Sequence, residues 1–190
     1  MRTQKSDTGL FFIAVLPPEE IQHEVTLFKQ EIRDRYGSRH ALNSPPHITL
    51  HMPFKWPIKK AAKLQTTMEE MAAGVEPFNI ELKDFSAFPP RVIFVDVIEN
   101  QSLRDLQKVV TRLARLNLRL DNGDYKNRGF HPHMTIAFRD LKKVKFLEAW
   151  EEFQTRNYRA TFMANQLTLL QRLDGKWQVY RDYPFQISEM

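Results

Sequence analysis

The chain carries one short pattern twice. Pro46-His47-Ile48-Thr49-Leu50 and Pro132-His133-Met134-Thr135-Ile136 both read Pro-His-apolar-Thr-apolar. The copies fall at the corresponding place in two halves that share an order: apolar strand, helix, motif strand, helix, strand. The step from Val15 to His47 is close to the step from Val97 to His133. A solenoid needs three or more short units, so two long ones predict a different architecture. We expect an α+β fold of two similar lobes, each an antiparallel sheet with helices. An approximate twofold axis should relate them across a central cleft. The repeat runs over about 9–88 and 91–173, inside a single bilobal domain spanning 1–190.

The local patterns fit this order. Gly9 to Leu16 reads as a buried strand. Pro18 suits a helix start, Ile21, Val25, Phe28, Ile32 and Tyr36 recur at helical spacing, and Gly37 suits the C-cap. Ser44 to Pro53 alternates as a strand, a helix follows to Gly74, and Phe78, Ile80 and Leu82 alternate again. After Phe88-Pro89-Pro90 come a strand at Arg91 to Ile98, a helix carrying Leu103, Leu106, Val110, Leu113 and Leu116, and a strand at Phe130 to Phe138. Asp140 is placed to cap the next helix. Asp174-Gly175 is a hairpin turn between the last two strands. Leu10 to Leu16 could mimic a signal peptide, but Pro17-Pro18-Glu19-Glu20 offers no cleavage site and runs on into a helix. No run nears the roughly 20 apolar residues of a membrane span. A cytoplasmic monomer that does not enter membranes is expected.

Alternation gives the motif its chemistry. On a strand, His47 and Thr49 share one face while Ile48 and Leu50 face the core, and His133 and Thr135 are arranged likewise. The 190 residues include no cysteine, which excludes disulfides, Cys-liganded zinc and thiol nucleophiles. Two imidazoles across a cleft suit phosphodiester hydrolysis instead. A neutral His takes a proton from water, and a protonated one gives a proton to the departing ribose oxygen. The Thr hydroxyls can hold the non-bridging oxygens, so neither metal nor other cofactor is required. The formal charge of +5 permits an anionic partner without demanding one.

Other residues are weighed on the same geometry. His51 and His131 lie two positions from Thr49 and His133, so alternation puts both on the cleft face as rim or substrate contacts. Four imidazoles could also bind zinc, but the motif strands hold no Asp or Glu and a metal leaves the repeated Thr unexplained. His23 and His40 are expected at the surface. Arg104, Lys108, Arg112, Arg115 and Arg119 form a basic stripe, either a solvated helix face or a track for an RNA backbone. Phe54, Trp56 and Phe130 flank the motifs, as core or as a platform for a base.

These motifs resemble those of the 2H phosphoesterase superfamily, defined by two His-x-Thr/Ser motifs, and in particular its 2′-5′ RNA ligase and cyclic phosphodiesterase-like members. Phe88-Pro89-Pro90-Arg91-Val92-Ile93-Phe94 and the closing hairpin extend the resemblance over nearly the whole chain. It implies a bilobal fold with His47, Thr49, His133 and Thr135 lining the cleft. It implies hydrolysis of 2′,3′-cyclic phosphates on RNA ends or small nucleotides, or reversible 2′-5′ ligation. It also implies the acid role for His47 and the base role for His133. Relatives often carry Arg five positions after the second His; here Phe138 stands there and Arg139 follows. Lys55, Lys126 or Arg128 could take over the phosphate contact. An RNA-binding module with little catalysis and a His-liganded metal hydrolase are the alternative readings.

Overall fold

The computed structural model describes residues 7–121 and 129–185. The elements in chain order are β1 (Thr8–Val15), α1 (Glu19–Tyr36), β2 (Ile48–Pro57), α2 (Ala61–Ala72), β3 (Phe78–Phe88), β4 (Val92–Val97), α3 (Gln101–Leu113), β5 (His133–Ala137), α4 (Lys143–Phe153), β6 (Arg159–Ala164), β7 (Gln166–Leu173) and β8 (Lys176–Pro184). A 3-10 turn, His40–Asn43, precedes β2, and a π-turn, Ala114–Leu118, extends α3. Gly37 closes α1 in the left-handed region at φ 75°, a conformation that costs a glycine little. Asn100 caps α3 by accepting from the Leu103 N–H at 2.9 Å.

The strands form two antiparallel four-stranded sheets, ordered β2-β1-β7-β8 and β5-β4-β3-β6. The sheets do not follow the two halves of the sequence. β3 closes the first half but pairs with β4 and β6, while β7, late in the chain, pairs with β1. Helices cross over too: α1 contacts β5, and α3 contacts β2. One large hydrophobic cluster draws on both sheets, with Ile13, Ile48, Leu50, Ile80, Val95, Met134, Phe146 and Phe153 among its members. Neither half can bury its apolar strands alone, because each lends a strand to the other's sheet. Among the described residues no helix is long and apolar enough to cross a membrane.

Two local expectations change. β6 has no counterpart in the periodicity reading. Asp140 does not cap α4, whose N-cap is Lys142. It serves the other half of the molecule: its Oδ1 accepts from Ser38 Oγ at 2.6 Å, and its Oδ2 from the N–H groups of Arg39 and His40 at 2.9 and 3.0 Å. Partial burial pushes this carboxyl up, but the donors together outweigh it and hold it below the usual carboxylate range. The segment after the second motif therefore caps the 3-10 turn that leads into the first.

Candidate active site

A cavity of about 550 Å³ opens between the sheets. His47, Thr49, His133 and Thr135 all line it, as does His131. The two motif histidines are held alike. His47 Nδ1 donates to the Pro45 carbonyl at 2.7 Å, and His133 Nδ1 donates to the His131 carbonyl at 2.7 Å. In each case the carbonyl lies two residues back, across Pro46 or Pro132. The proline ring fixes φ and so fixes where that carbonyl can sit. A carbonyl only accepts, so Nδ1 keeps its proton and the neutral ring presents Nε2 as the basic nitrogen.

The floor is aromatic and repeats across the two halves. Phe12 on β1 lies 4.7 Å from the His47 ring, and Phe94 on β4 lies 4.9 Å from the His133 ring, centroid to centroid. Both phenylalanines are buried. Burial pushes His47 down to about 4, the Lys29 charge nearby and that of His133 add to this, and the Pro45 hydrogen bond opposes it. Burial lowers His133 as well, with the His131 ring adding to it, against its hydrogen bond to the His131 carbonyl and the nearby Asp96 carboxylate. Lys29 itself is 1% exposed, its ammonium donates to the Ser44 carbonyl at 2.9 Å, and burial lowers it to about 7.

His51 does not line the cavity. The β1–β2 register shifts on either side of Ile13, which pairs with His51, whereas Ala14 pairs with Thr49. Ile13 belongs to the core face of β1 and Ala14 to the cleft face. The extra residue of this bulge turns His51 inward, where it is 2% exposed, packs edge-on against Phe54 and donates from Nδ1 to its neighbour's carbonyl, Met52 O, at 2.8 Å. Alternation fails at that point because the ladder does. Lys55 is also elsewhere. With Lys60, Lys63 and Arg119 it lines a separate cavity of about 420 Å³. Phe130 packs against the core, and its carbonyl accepts from Arg104 at 3.1 Å. Arg104 also pairs with Glu99, and Lys108 with Asp105, so two members of the basic stripe are engaged locally. Lys126 and Arg128 lie outside the described residues. His131 stays at the rim, its Nε2 3.6 Å from Asp96 Oδ1. Among the described residues no group of three His, Asp or Glu side chains is placed to hold a metal ion.

The structure adds residues that the sequence reading missed. His40 lines the cavity instead of lying free on the surface, with its ring edge-on to Phe138 and its Nε2 3.5 Å from Arg139 Nη1. β5 ends at Ala137 and Arg139 takes a left-handed φ of 64°, so strand alternation does not decide its direction. Arg172 and Trp177 line the wall from the β7–β8 hairpin, where they pair across the strands. The Arg172 guanidinium lies 6.0 Å from the indole, and Trp177 meets Phe12 edge-on at 4.6 Å. The Asp174-Gly175 turn signalled the hairpin, but only the strand exchange brings it beside β1.

Comparison with known proteins bears on the family and the fold. A family model described as the 2′-5′ RNA ligase superfamily matches residues 17–176. A Geobacillus kaustophilus protein named "Putative phosphoesterase GK0864" is 29% identical over 90% of this chain and 93% of its own length. A similarly named protein of Geobacillus sp. strain WCH70 is 30% identical at the same coverage. Among solved structures, TT0787 of Thermus thermophilus superposes with a TM-score of 0.67 at 17% identity, covering 95% of this chain and 100% of that one. E. coli LigT complexed with 3′-AMP superposes at 0.68 and 18% identity, covering 94% and 99%. With the fold shared over full length and the family's sequence pattern matched across most of the chain, this protein belongs to the 2′-5′ RNA ligase superfamily, the 2H phosphoesterases.

Proposed function

We propose that the protein is a phosphoesterase that opens 2′,3′-cyclic phosphates on RNA ends or small nucleotides, with reversible 2′-5′ ligation as the same displacement in which an RNA 5′-hydroxyl takes the place of water. The observation that carries this is the matched pair of imidazoles. Each has Nδ1 committed to a carbonyl two residues back, each has a Thr beside it, and all four residues line one cavity. A cyclic phosphate between them needs one ring to accept a proton and one to donate it. Water attacks phosphorus and loses a proton to the base. The bond to one ribose oxygen breaks, and that oxygen takes a proton from the acid.

The electrostatics favour roles opposite to those the family resemblance implies. Burial is the main cause at both rings and takes His47 down to about 4 with the Lys29 charge adding to it, whereas at His133 the His131 ring adds to burial and the hydrogen bond to the His131 carbonyl and the Asp96 carboxylate oppose it. His47 is then the base and His133 the acid in hydrolysis. An NMR titration should find the His133 midpoint above that of His47, the latter near 4. The reverse order would overturn this assignment. Bound phosphate, being anionic, raises both midpoints and lets His133 carry its proton at neutral pH.

Arg172 supports the same reading as a cation on the cavity wall. Hydrogen bonds to charged groups are worth about 1.5–3 kcal/mol, so Arg172→Ala should raise KM for a 2′,3′-cyclic nucleotide roughly 10–100-fold. An unchanged KM would show that Arg172 does not hold the phosphate. The main test assays a 2′,3′-cyclic mononucleotide and a cyclic-ended oligonucleotide, with and without EDTA. Turnover that survives EDTA is expected. Activity lost with EDTA favours a metal hydrolase, and tight RNA binding without turnover favours a binding module.

A further inference from the structure

A second, smaller cavity of about 230 Å³ adjoins the one between the motifs. The two share Asn43, Ser44 and Trp177 as walls. Lys29, Lys176 and Gln178 supply further polar lining, and among the described residues no carboxylate lines it. Lys29 reaches it from α1 and is almost wholly buried. Its ammonium has three N–H donors, of which one goes to the Ser44 carbonyl. Among the described residues no carboxylate forms an ion pair with it. Among the described residues the charged or titratable groups around it are His47, just before β2, and Lys176, at the start of β8 and lining the same cavity. A desolvated ammonium without a counter-charge is expensive. An anion in this space would supply one.

We propose that this cavity is a second anion subsite, which takes a phosphate group between the Lys29 and Lys176 ammoniums with Ser44 and Gln178 as further donors. The space suits one such group and is too small for a nucleoside as well. Resting on the function proposed above, the natural source of that phosphate is the substrate itself. It is either the 5′-phosphate of the nucleotide whose cyclic end lies between the histidines or the phosphodiester to the adjoining nucleotide. The protein would then prefer substrates that carry a phosphate besides the cyclic one.

The experiment has a binding arm and a kinetic arm. Inorganic phosphate is titrated into the whole protein while the Lys29 side-chain resonance is followed by NMR. Its midpoint, near neutrality without phosphate, should rise so that protonation is favoured at least about tenfold more, because a bound anion couples to the charged form. Lys176→Ala should weaken phosphate in this assay by about tenfold. An unmoved Lys29 signal, at phosphate concentrations that shift His47 and His133, overturns the subsite. Lys29→Met serves as a check that the response is lost with the ammonium, and Lys176→Ala, on the exposed hairpin, keeps the test open if Lys29→Met does not fold. The kinetic arm compares a plain 2′,3′-cyclic mononucleotide, its 5′-phosphorylated form and a cyclic-ended dinucleotide. The substrate whose phosphate fits should show a KM about tenfold lower, and Lys176→Ala should remove that advantage while leaving the plain mononucleotide unchanged. Equal KM values for all three overturn the substrate as the source, even with a positive Lys29 response. Absence of turnover on all three overturns the function proposed above, while the Lys29 response still decides the subsite.

Discussion

His47→Ala and His133→Ala should each lower kcat/KM for a 2′,3′-cyclic nucleotide by about 10²–10⁴-fold, the usual contribution of one positioned acid or base. Both rings have the same local arrangement, so neither can replace the other: each proton transfer occurs on its own side of the phosphorus. The double variant should lose much less than the product of the single losses, because the two residues act as a unit. Both rings are half-buried and lie over a phenylalanine, so truncation could loosen the floor. His47→Gln and His133→Gln keep most of the volume, and their melting temperatures separate lost chemistry from lost packing. Equal product release by wild type and all four single variants would sink the two-histidine mechanism. Loss of turnover in only one motif would show that the other imidazole binds substrate without transferring a proton.

The sequence made the motif strands, most helices and the closing hairpin legible because these are local: each rests on a period, a cap or a turn dipeptide within a few residues. What escaped it depends on contacts between distant segments. His51 obeys alternation on paper, and only the β1–β2 ladder reveals the bulge that turns it inward. Asp140 looks like a cap for the helix that follows, yet its donors come from residues 38–40, about a hundred positions earlier. Arg172 and Trp177 belong to a hairpin whose local signal says nothing of where it docks. Lys29 stands on the buried stripe of α1, four after Val25 and three before Ile32, a place a lysine seldom takes, and the 3-10 turn and β8 close over it. The repeat is visible in the sequence, but the exchange of β3 and β7 between the sheets follows from neither half alone.

That exchange also makes the aromatic floor a shared element, and Phe94→Ala should cost about 3–5 kcal/mol of stability, as large-to-small changes at buried phenylalanines do. Phe94 is 1% exposed, pairs across the sheet with Thr135 and touches the rings of Phe88, His131 and His133. Phe12 is its counterpart under His47, so Phe12→Ala should destabilise comparably, measured by urea unfolding. The functional consequence needs a milder change. Phe94→Leu removes the flat ring but keeps an apolar side chain, and it should let water reach His133. Because burial is the main cause of the lowered His133 midpoint, hydration must raise it toward the ordinary histidine value of about 6.5. The sign for stability follows. A histidine kept neutral in the folded state binds fewer protons than in the unfolded chain, so wild type loses stability as pH falls below about 6.5, until the folded midpoint is passed. In Phe94→Leu that acid-side loss should shrink, while the stability at pH 8 falls through poorer packing. If the His133 midpoint and the acid-side slope both stay at their wild-type values, the ring does not set the protonation of His133, and the desolvation must come from the opposite wall of the cavity.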